Sequence, residues 1–139
     1  MSLFVLALLA GCQQGVNSTG NKTSADVGKV IPSENGSYKN ITVAELQEMM
    51  KAKDFLLVNV HTPFEGNLPK TDLSIPYDTI DQNLGKLPSD KNAKIVLYCR
   101  SDRMSTIASK EMVKLGYTNI WNMVGGMVAW EQAGQQIEK

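Results

Sequence analysis

Apolar residues from residue 42 onward follow two spacings along the chain. A spacing of three and four residues is typical of the buried face of a helix, whereas short uninterrupted apolar runs are typical of strands buried in a parallel sheet. The helical spacing predicts four helices, at 42–53, 80–87, 105–115 and 127–133. The apolar runs predict strands at 55–60, 94–98 and 119–123, with a short strand around Ile75. Thr42 and Glu45 also have the spacing of a capping box at the start of the first helix.

This alternation of strands and helices predicts the fold class. It favours a single α/β domain with a central parallel sheet and helices on both faces. In such sheets, ligands bind beyond the carboxyl ends of the strands. Cys99 follows the strand at 94–98 and His61 follows the strand at 55–60, so both side chains are expected at the same edge of the sheet.

The N-terminal residues have a different pattern. Residues 3–10 form an apolar run that is too short for the roughly 20 residues that span a bilayer but is typical of a secretory signal. The run continues into residues 9–12 (LAGC), which resemble the lipobox of bacterial lipoproteins. Residues 1–11 are therefore predicted to be a lipoprotein-type signal peptide, with a lipid attached to Cys12. The first residues contain no Lys or Arg, so the basic region with which a signal peptide begins is missing. The alternative is an ordinary signal peptide with a chance cysteine.

The lipobox resemblance implies a location and a domain organisation. The protein is expected to be exported and anchored, as a lipoprotein, to the outer face of the cell membrane or in the periplasm and cell envelope. Residues 12–40 are rich in Gly, Ser, Thr, Asn and Lys and lack sustained apolar periodicity, so they are predicted to form a flexible tether. The folded domain is then expected at 41–139.

The composition of the chain argues against two kinds of binding site. Lys and Arg together number 14, and so do Asp and Glu, so the chain has no net charge and lacks the basic surface typical of nucleic-acid binding. His61 is the single histidine, and the two cysteines lie far apart in sequence, which excludes a zinc site built from these residues. We therefore expect no nucleic acid, no metal and no organic cofactor.

The turn between the strand at 94–98 and the helix at 105–115 contains the candidate nucleophile, Cys99. The candidate substrate-binding residues follow it directly: Arg100, Ser101, Asp102, Arg103, Met104 and Ser105. A helix N-terminus and nearby cations stabilise a thiolate, and successive backbone N–H groups bind anions. The pattern therefore indicates an anion-binding loop around a reactive thiol, with a buried structural cysteine as the alternative.

Several other residues are weaker candidates for the same site. His61 is interpreted either as a substrate-side residue or as an ordinary turn histidine. Glu65 and Asp72 are interpreted as solvated loop carboxylates. The alternative is that they serve as hydrogen-bond acceptors near the site. Trp121 and Trp130 are expected in the core.

Three motifs occur in a characteristic order: 58–63 (VNVHTP), 98–101 (YCRS) and 125–130 (GGMVAW). Together they resemble the rhodanese family of sulfurtransferases, and the first resembles a subgroup with histidine in place of an arginine. The resemblance implies that Cys99 accepts a sulfane sulfur from a small anionic donor, such as thiosulfate, or from a persulfide. The resulting Cys99 persulfide would pass its sulfur to a thiol or another nucleophilic acceptor.

Departures from the family pattern keep other functions open. Asp102 stands where glycine is usual. Aspartate tolerates left-handed backbone better than most residues, at some cost, and its carboxylate could repel a dianionic donor or pair with an arginine. Met104 and Asn59 also differ from the family pattern, which leaves a non-catalytic module for binding or redox sensing as an alternative. A phosphatase or arsenate reductase is disfavoured, because the related phosphatases have a longer loop that ends in arginine, whereas Ser105 stands there in this chain.

Export has a consequence for the thiol of Cys99. A free thiol outside the cytoplasm oxidises unless another thiol reduces it. We therefore expect a thiol reductant or a thiol acceptor as a partner.

Overall fold

The structure, a computed structural model, describes residues 26–139. The strands are β1 (Lys29–Ser33), β2 (Gly36–Ile41), β3 (Leu56–Asn59), β4 (Leu73–Ser74), β5 (Ile95–Tyr98) and β6 (Ile120–Met123). The helices are α1 (Val43–Lys51), α2 (Arg103–Lys114) and α3 (Gly126–Gln132), together with a 3₁₀ helix at Asp81–Lys86. None of the helices in this part of the chain has the length and apolarity needed to cross a membrane. The signal peptide, Cys12 and residues 12–25 of the predicted tether lie outside the described residues.

The six strands form one sheet in the order β1-β2-β6-β5-β3-β4. The pairs from β2 to β4 are all parallel, and β1 alone runs antiparallel to its neighbour. The predicted α/β class with a central parallel sheet is therefore confirmed. The carboxyl ends of β3 and β5 lie side by side, because these strands are direct neighbours.

Helices cover both faces of the sheet, as predicted. α1 and α3 cover one face through Leu46 and Trp130, and α2 covers the other through Met112. Side chains along β5 point alternately to the two faces, so Tyr98 belongs to the α1 and α3 side and Cys99 to the α2 side. The Cys99 side chain therefore lies on the face of the sheet that α2 covers.

The tether prediction is wrong for residues 29–40. These residues form β1 and most of β2, a hairpin closed by a two-residue turn in which Asn35 adopts the left-handed conformation that asparagine tolerates (φ 65°). The apolar pattern gave no sign of the hairpin, because Tyr38 and Ile41 are its only fully buried apolar side chains within the described residues. Its stability comes instead from the backbone hydrogen bonds that join β1 to β2 and β2 to β6.

The remaining predicted elements are present within a few residues of their expected bounds. Thr42 caps α1: its hydroxyl accepts a hydrogen bond from Glu45 N at 3.2 Å, and the Glu45 carboxylate accepts one from Thr42 N at 2.9 Å. The capping box is thus confirmed. Trp121 and Trp130 are both buried, as expected.

Tyr98, the last residue of β5, ties the connection between β3 and β4 to the sheet. Its hydroxyl accepts a hydrogen bond from Leu68 N at 3.0 Å and lies 2.7 Å from the hydroxyl of Thr71. Burial raises the pKa of Tyr98, so the phenol stays neutral in this network. These hydrogen bonds fix the β3–β4 connection, which includes His61 and Glu65, to the carboxyl end of β5.

Candidate active site

Cys99 lies where β5 meets α2, as a free and almost fully buried thiol with 1% of its surface exposed. The turn after it is short, because α2 begins at Arg103. Within the described chain, the backbone N–H groups of residues 100–105 donate to no protein acceptor. Unpaired N–H groups in a turn and at a helix N-terminus are a binding site for an anion. Cys99 is therefore followed directly by a turn and a helix start whose backbone hydrogen-bond donors have no protein acceptor among the described residues.

Helix α3 braces this loop from behind. Met127 N donates to Cys99 O and Val128 N donates to Arg100 O, both at 2.9 Å. This approach requires Gly126, because a Cβ there would lie 2.3 Å from Cys99 O. Gly125 and Gly126 both adopt positive φ, at 82° and 55°. The glycine pair of the 125–130 motif thus has a structural role in positioning the cysteine loop.

The far end of the loop is closed by Ser105. Ser105 is buried, and its hydroxyl donates to Asp102 O at 3.0 Å, which also accepts a hydrogen bond from Thr106 N. Asp102 has φ −176°, so it does not use the left-handed backbone that a glycine at this position would favour.

The carboxylate of Asp102 faces the sheet and pairs with no arginine. Its Oδ1 accepts a hydrogen bond at 3.2 Å from the buried amide of Asn122, whose Nδ2 also donates to Asn40 at 3.0 Å. Burial and the nearby Asp102 carboxylate raise the pKa of Tyr38. A row of polar side chains thus connects β2 and β6 to the loop. This arrangement engages Asp102 on the sheet side instead of with Arg100 or Arg103.

His61 and Arg100 are joined by Glu65, which the sequence offered only as a weaker candidate and which was interpreted as a solvated loop carboxylate. Glu65 places one carboxylate oxygen 2.5 Å from His61 Nε2 and accepts a hydrogen bond from Arg100 on the other, also at 2.5 Å. The bond from Arg100, and then that with His61, lower the pKa of Glu65 below its ordinary value, so the carboxylate is ionised at neutral pH. The backbone N–H of His61 is in turn fixed by the buried side chain of Asn59 at 2.9 Å.

The other candidate residues are distributed around the loop. Arg100, Ser101 and Arg103 are exposed, whereas Met104 is half-buried against the α2 side of the core. Asp72 is not part of the site: its carboxylate accepts hydrogen bonds from Leu57 N and from Lys53. Among residues 26–139, no three His, Cys, Asp or Glu side chains are grouped so that they would bind a metal ion.

The fold and the site together define an α/β domain with a cysteine loop at the carboxyl edge of a parallel sheet. Residues 42–133 match the family described as Rhodanese-like domain, and the chain belongs to this family. A sulfurtransferase from Allochromatium vinosum is 33% identical over 94 residues, which cover 66% of this chain and 85% of that protein. The family thus includes proteins named as sulfurtransferases.

Solved structures agree with this assignment. A rhodanese-like domain protein from Staphylococcus aureus is 31% identical with a TM-score of 0.59, covering 73% of this chain and 99% of the other. A rhodanese-related protein from Thermoplasma volcanium is 26% identical with a TM-score of 0.61, covering 72% and 97%. Other relatives are longer, and the chain spans 54% and 31% of the length of two of them.

Proposed function

We propose that the protein is a sulfurtransferase in which Cys99 carries the transferred sulfur as a persulfide. The observation that supports this most directly is the buried Cys99 thiol beside the unpaired backbone N–H groups of residues 100–105. A terminal persulfide sulfur carries negative charge, and these donors would hold it. Arg100 and Arg103 add positive charge on the exposed side of the loop.

The reaction consists of two sulfur transfers. The Cys99 thiolate attacks the sulfane sulfur of a donor such as thiosulfate or a persulfide, forming the S–S bond of the Cys99 persulfide. The donor's own bond to that sulfur breaks, and its electron pair leaves with sulfite or a thiolate. An acceptor thiolate or other nucleophile then attacks the outer sulfur of the persulfide, and the S–S electron pair returns to Cys99. No external oxidant or reductant is needed.

Two features of the loop support sulfur transfer over the alternatives. Ser105 occupies the position at which a phosphatase loop would present an arginine, and its buried hydroxyl is engaged by the backbone of Asp102. Asp102 differs from the family pattern, which kept a non-catalytic module open as an alternative. Its carboxylate accepts a hydrogen bond from Asn122. An anion at the loop would therefore not compete with that carboxylate for Arg103.

Mass spectrometry of the intact protein provides the direct test. We expect incubation with thiosulfate or with glutathione persulfide to add the mass of one sulfur atom, located on the peptide that contains Cys99. Dithiothreitol should remove the added mass, because a thiol accepts the outer sulfur of a persulfide. Absence of the adduct with both donors, or its location on another residue, would contradict the proposed function.

We also propose that the protein acts outside the cytoplasm, held by a lipid on Cys12 and served by a thiol acceptor or reductant. The lipobox-like residues 9–12 support this location. In a bacterial host fed an alkyne-labelled fatty acid, the full chain should acquire label and fractionate with membranes. The Cys12→Ser variant should do neither, and a labelled Cys12→Ser protein would overturn the proposal.

A further inference from the structure

The chain enters the described domain at the edge of the sheet that carries the cysteine loop. β2 is joined to β6, and β6 to β5, by parallel pairing, so β2 ends at the same carboxyl edge as β5. β1 runs antiparallel to β2 and pairs Lys29 with Asn40, so the first residue of β1 lies at this edge too. β1 is three strands away from β5 in the sheet, a separation of about 14 Å.

Hydrogen bonding and packing fix this entry point. Gly28 N donates at 3.2 Å to Oε1 of Glu45, which lies in the first turn of α1. Val27 packs against the part of the core that α1 and α3 cover. A Cβ at Gly28 would lie 3.0 Å from Ile41 Cγ2, so the chain is close against the end of β2. Residues 27 and 28 are therefore held at the carboxyl edge.

The β1–β2 hairpin also shortens the segment between this edge and the proposed lipid. Because residues 29–40 belong to the sheet, sixteen residues (13–28) separate Cys12 from β1. In any conformation, sixteen residues span at most about 55 Å. Cys12 lies outside the described residues, but a chain attached to it enters the domain at the carboxyl edge. The shortest path from the lipid to the domain therefore ends at the edge that carries the cysteine loop.

Exposed apolar side chains lie at this same edge, on either side of the cysteine loop. Phe64, 59% exposed, is in the β3–β4 connection beside Glu65, whose carboxylate pairs with Arg100. Val124, 40% exposed, follows β6 directly. β5 lies between β6 and β3, so the loop lies between these two side chains. Within residues 26–139, the turns at the opposite edge, where β3, β5 and β6 begin, contribute no exposed large apolar side chain.

The chemistry of this edge fits the surface of a lipid bilayer. Apolar side chains are stabilised at the boundary between headgroups and acyl chains in proportion to the apolar area that they bury there. The exposed charges at the edge are of both signs, with Lys29 and Arg103 balanced by Asp26 and Asp78. Apolar contact, and not a net positive charge, is therefore expected to hold the edge against the bilayer.

We propose that the carboxyl edge of the sheet is a bilayer-binding surface, in which Phe64 and Val124 contact the lipid and the cysteine loop lies between them. The lipid on Cys12 brings this edge to the membrane, and the two apolar side chains keep it there. The proposal rests on the lipid attachment proposed above, and it does not depend on the transfer of sulfur by Cys99.

Photo-cross-linking of the full, lipid-bearing chain in phosphatidylcholine vesicles tests this orientation. The cross-linking amino acid p-benzoylphenylalanine replaces Phe64, Val124 or Lys114, one at a time. Lys114 is the control position, because it is the exposed last residue of α2 and lies near the opposite edge from the start of that helix. We expect lipid adducts at Phe64 and Val124 and none at Lys114. High salt should not remove them, because salt screens charged contacts and not apolar ones.

A substitution at one apolar position tests whether the side chains hold the edge in place. Phe64→Asp should lower the yield of lipid adduct at Val124 by about fivefold or more, as expected when the burial of a Phe side chain is lost. Leu84→Asp is the matched control, because Leu84 is also an exposed apolar side chain but belongs to the 3₁₀ helix. It should leave the yield at Val124 unchanged, and circular dichroism would verify that both variants fold.

The outcomes separate this proposal from the others. Equal adduct yields at all three positions, or adducts only at Lys114, would overturn the orientation while leaving the lipid attachment intact. A chain that acquires no fatty-acid label on Cys12 would overturn both the location and the orientation. Neither result bears on the sulfurtransferase function, which the mass of Cys99 after incubation with a sulfur donor tests by itself.

Discussion

Replacing Cys99 with serine is expected to abolish turnover with every sulfur donor. A serine hydroxyl does not accept a sulfane sulfur, so the covalent intermediate is lost rather than slowed. Removing a covalent nucleophile lowers kcat/KM by about 10³-fold or more. The measurement is steady-state release of sulfite from thiosulfate, or of thiol from glutathione persulfide, with an excess of thiol acceptor.

The chain provides a control for this substitution in its other cysteine. Cys12→Ser removes the only other cysteine in the sequence and should leave turnover of the detergent-solubilised protein unchanged. Serine is nearly isosteric with cysteine, so Cys99→Ser should remain folded, which near-UV circular dichroism would verify. Retained turnover in Cys99→Ser, or equal losses in both variants, would mean that sulfur is not carried on Cys99.

The strands and helices from residue 42 onward could be predicted because each has a strong local signal. β3, β5 and β6 are short apolar runs flanked by polar residues, and α1 begins at a capping box between Thr42 and Glu45. The β1–β2 hairpin was missed for a physical reason. Only Tyr38 and Ile41 in its two strands are fully buried, so no buried apolar run marks the strands, and the pairing of β2 with β6 is a contact between segments far apart in sequence.

Some residues of the site could be predicted from local sequence, and others could not because their contacts join distant segments of the chain. The cysteine loop lies within one short stretch of sequence, and the position of Cys99 between a strand and a helix follows from the apolar run before it. The role of Glu65 cannot be predicted from local sequence. Its partner Arg100 lies 35 residues away, and the contact exists only after β3 and β5 pair. The spacing of four residues between His61 and Glu65 was the one available signal, and in an irregular segment it predicts no contact.

The orientation of Asp102 was also beyond the reach of local sequence. Asn122 and Asn40 occupy adjacent, paired positions on β6 and β2, and the link between them and Asp102 depends on the hairpin that the apolar pattern did not reveal. A residue that differs from a family pattern is thus accommodated by strands far from it in sequence. Local sequence alone therefore does not predict the partner of the Asp102 carboxylate.

Gly126→Ala is expected to disrupt both the fold and sulfur transfer. The new Cβ would lie 2.3 Å from Cys99 O and 2.7 Å from the carbonyl carbon of Arg100, both backbone atoms that have little freedom to move. α3 would have to withdraw, breaking the two hydrogen bonds that brace the loop. We expect a loss of about 3–5 kcal/mol in the free energy of unfolding, the range of severe core substitutions. Urea denaturation measures it.

Gly134→Ala separates crowding from backbone strain. Gly134, just after α3, also has positive φ (81°), but a Cβ there would meet no atom within 4 Å. Alanine at that position should lose only about 1–2 kcal/mol, the cost of left-handed backbone for a residue with a side chain. The Gly134→Ala variant should form the Cys99 persulfide at nearly the rate of the unsubstituted protein. The Gly126→Ala variant should form it more slowly, measured without denaturant while the protein is folded. Equal losses of stability in the two variants would show that φ alone, and not contact with the cysteine loop, explains the glycine at 126.

The contact at Gly126 joins α3 to the backbone carbonyl of Cys99 itself. The glycine pair at 125 and 126 is therefore expected to affect catalysis through the position of that carbonyl.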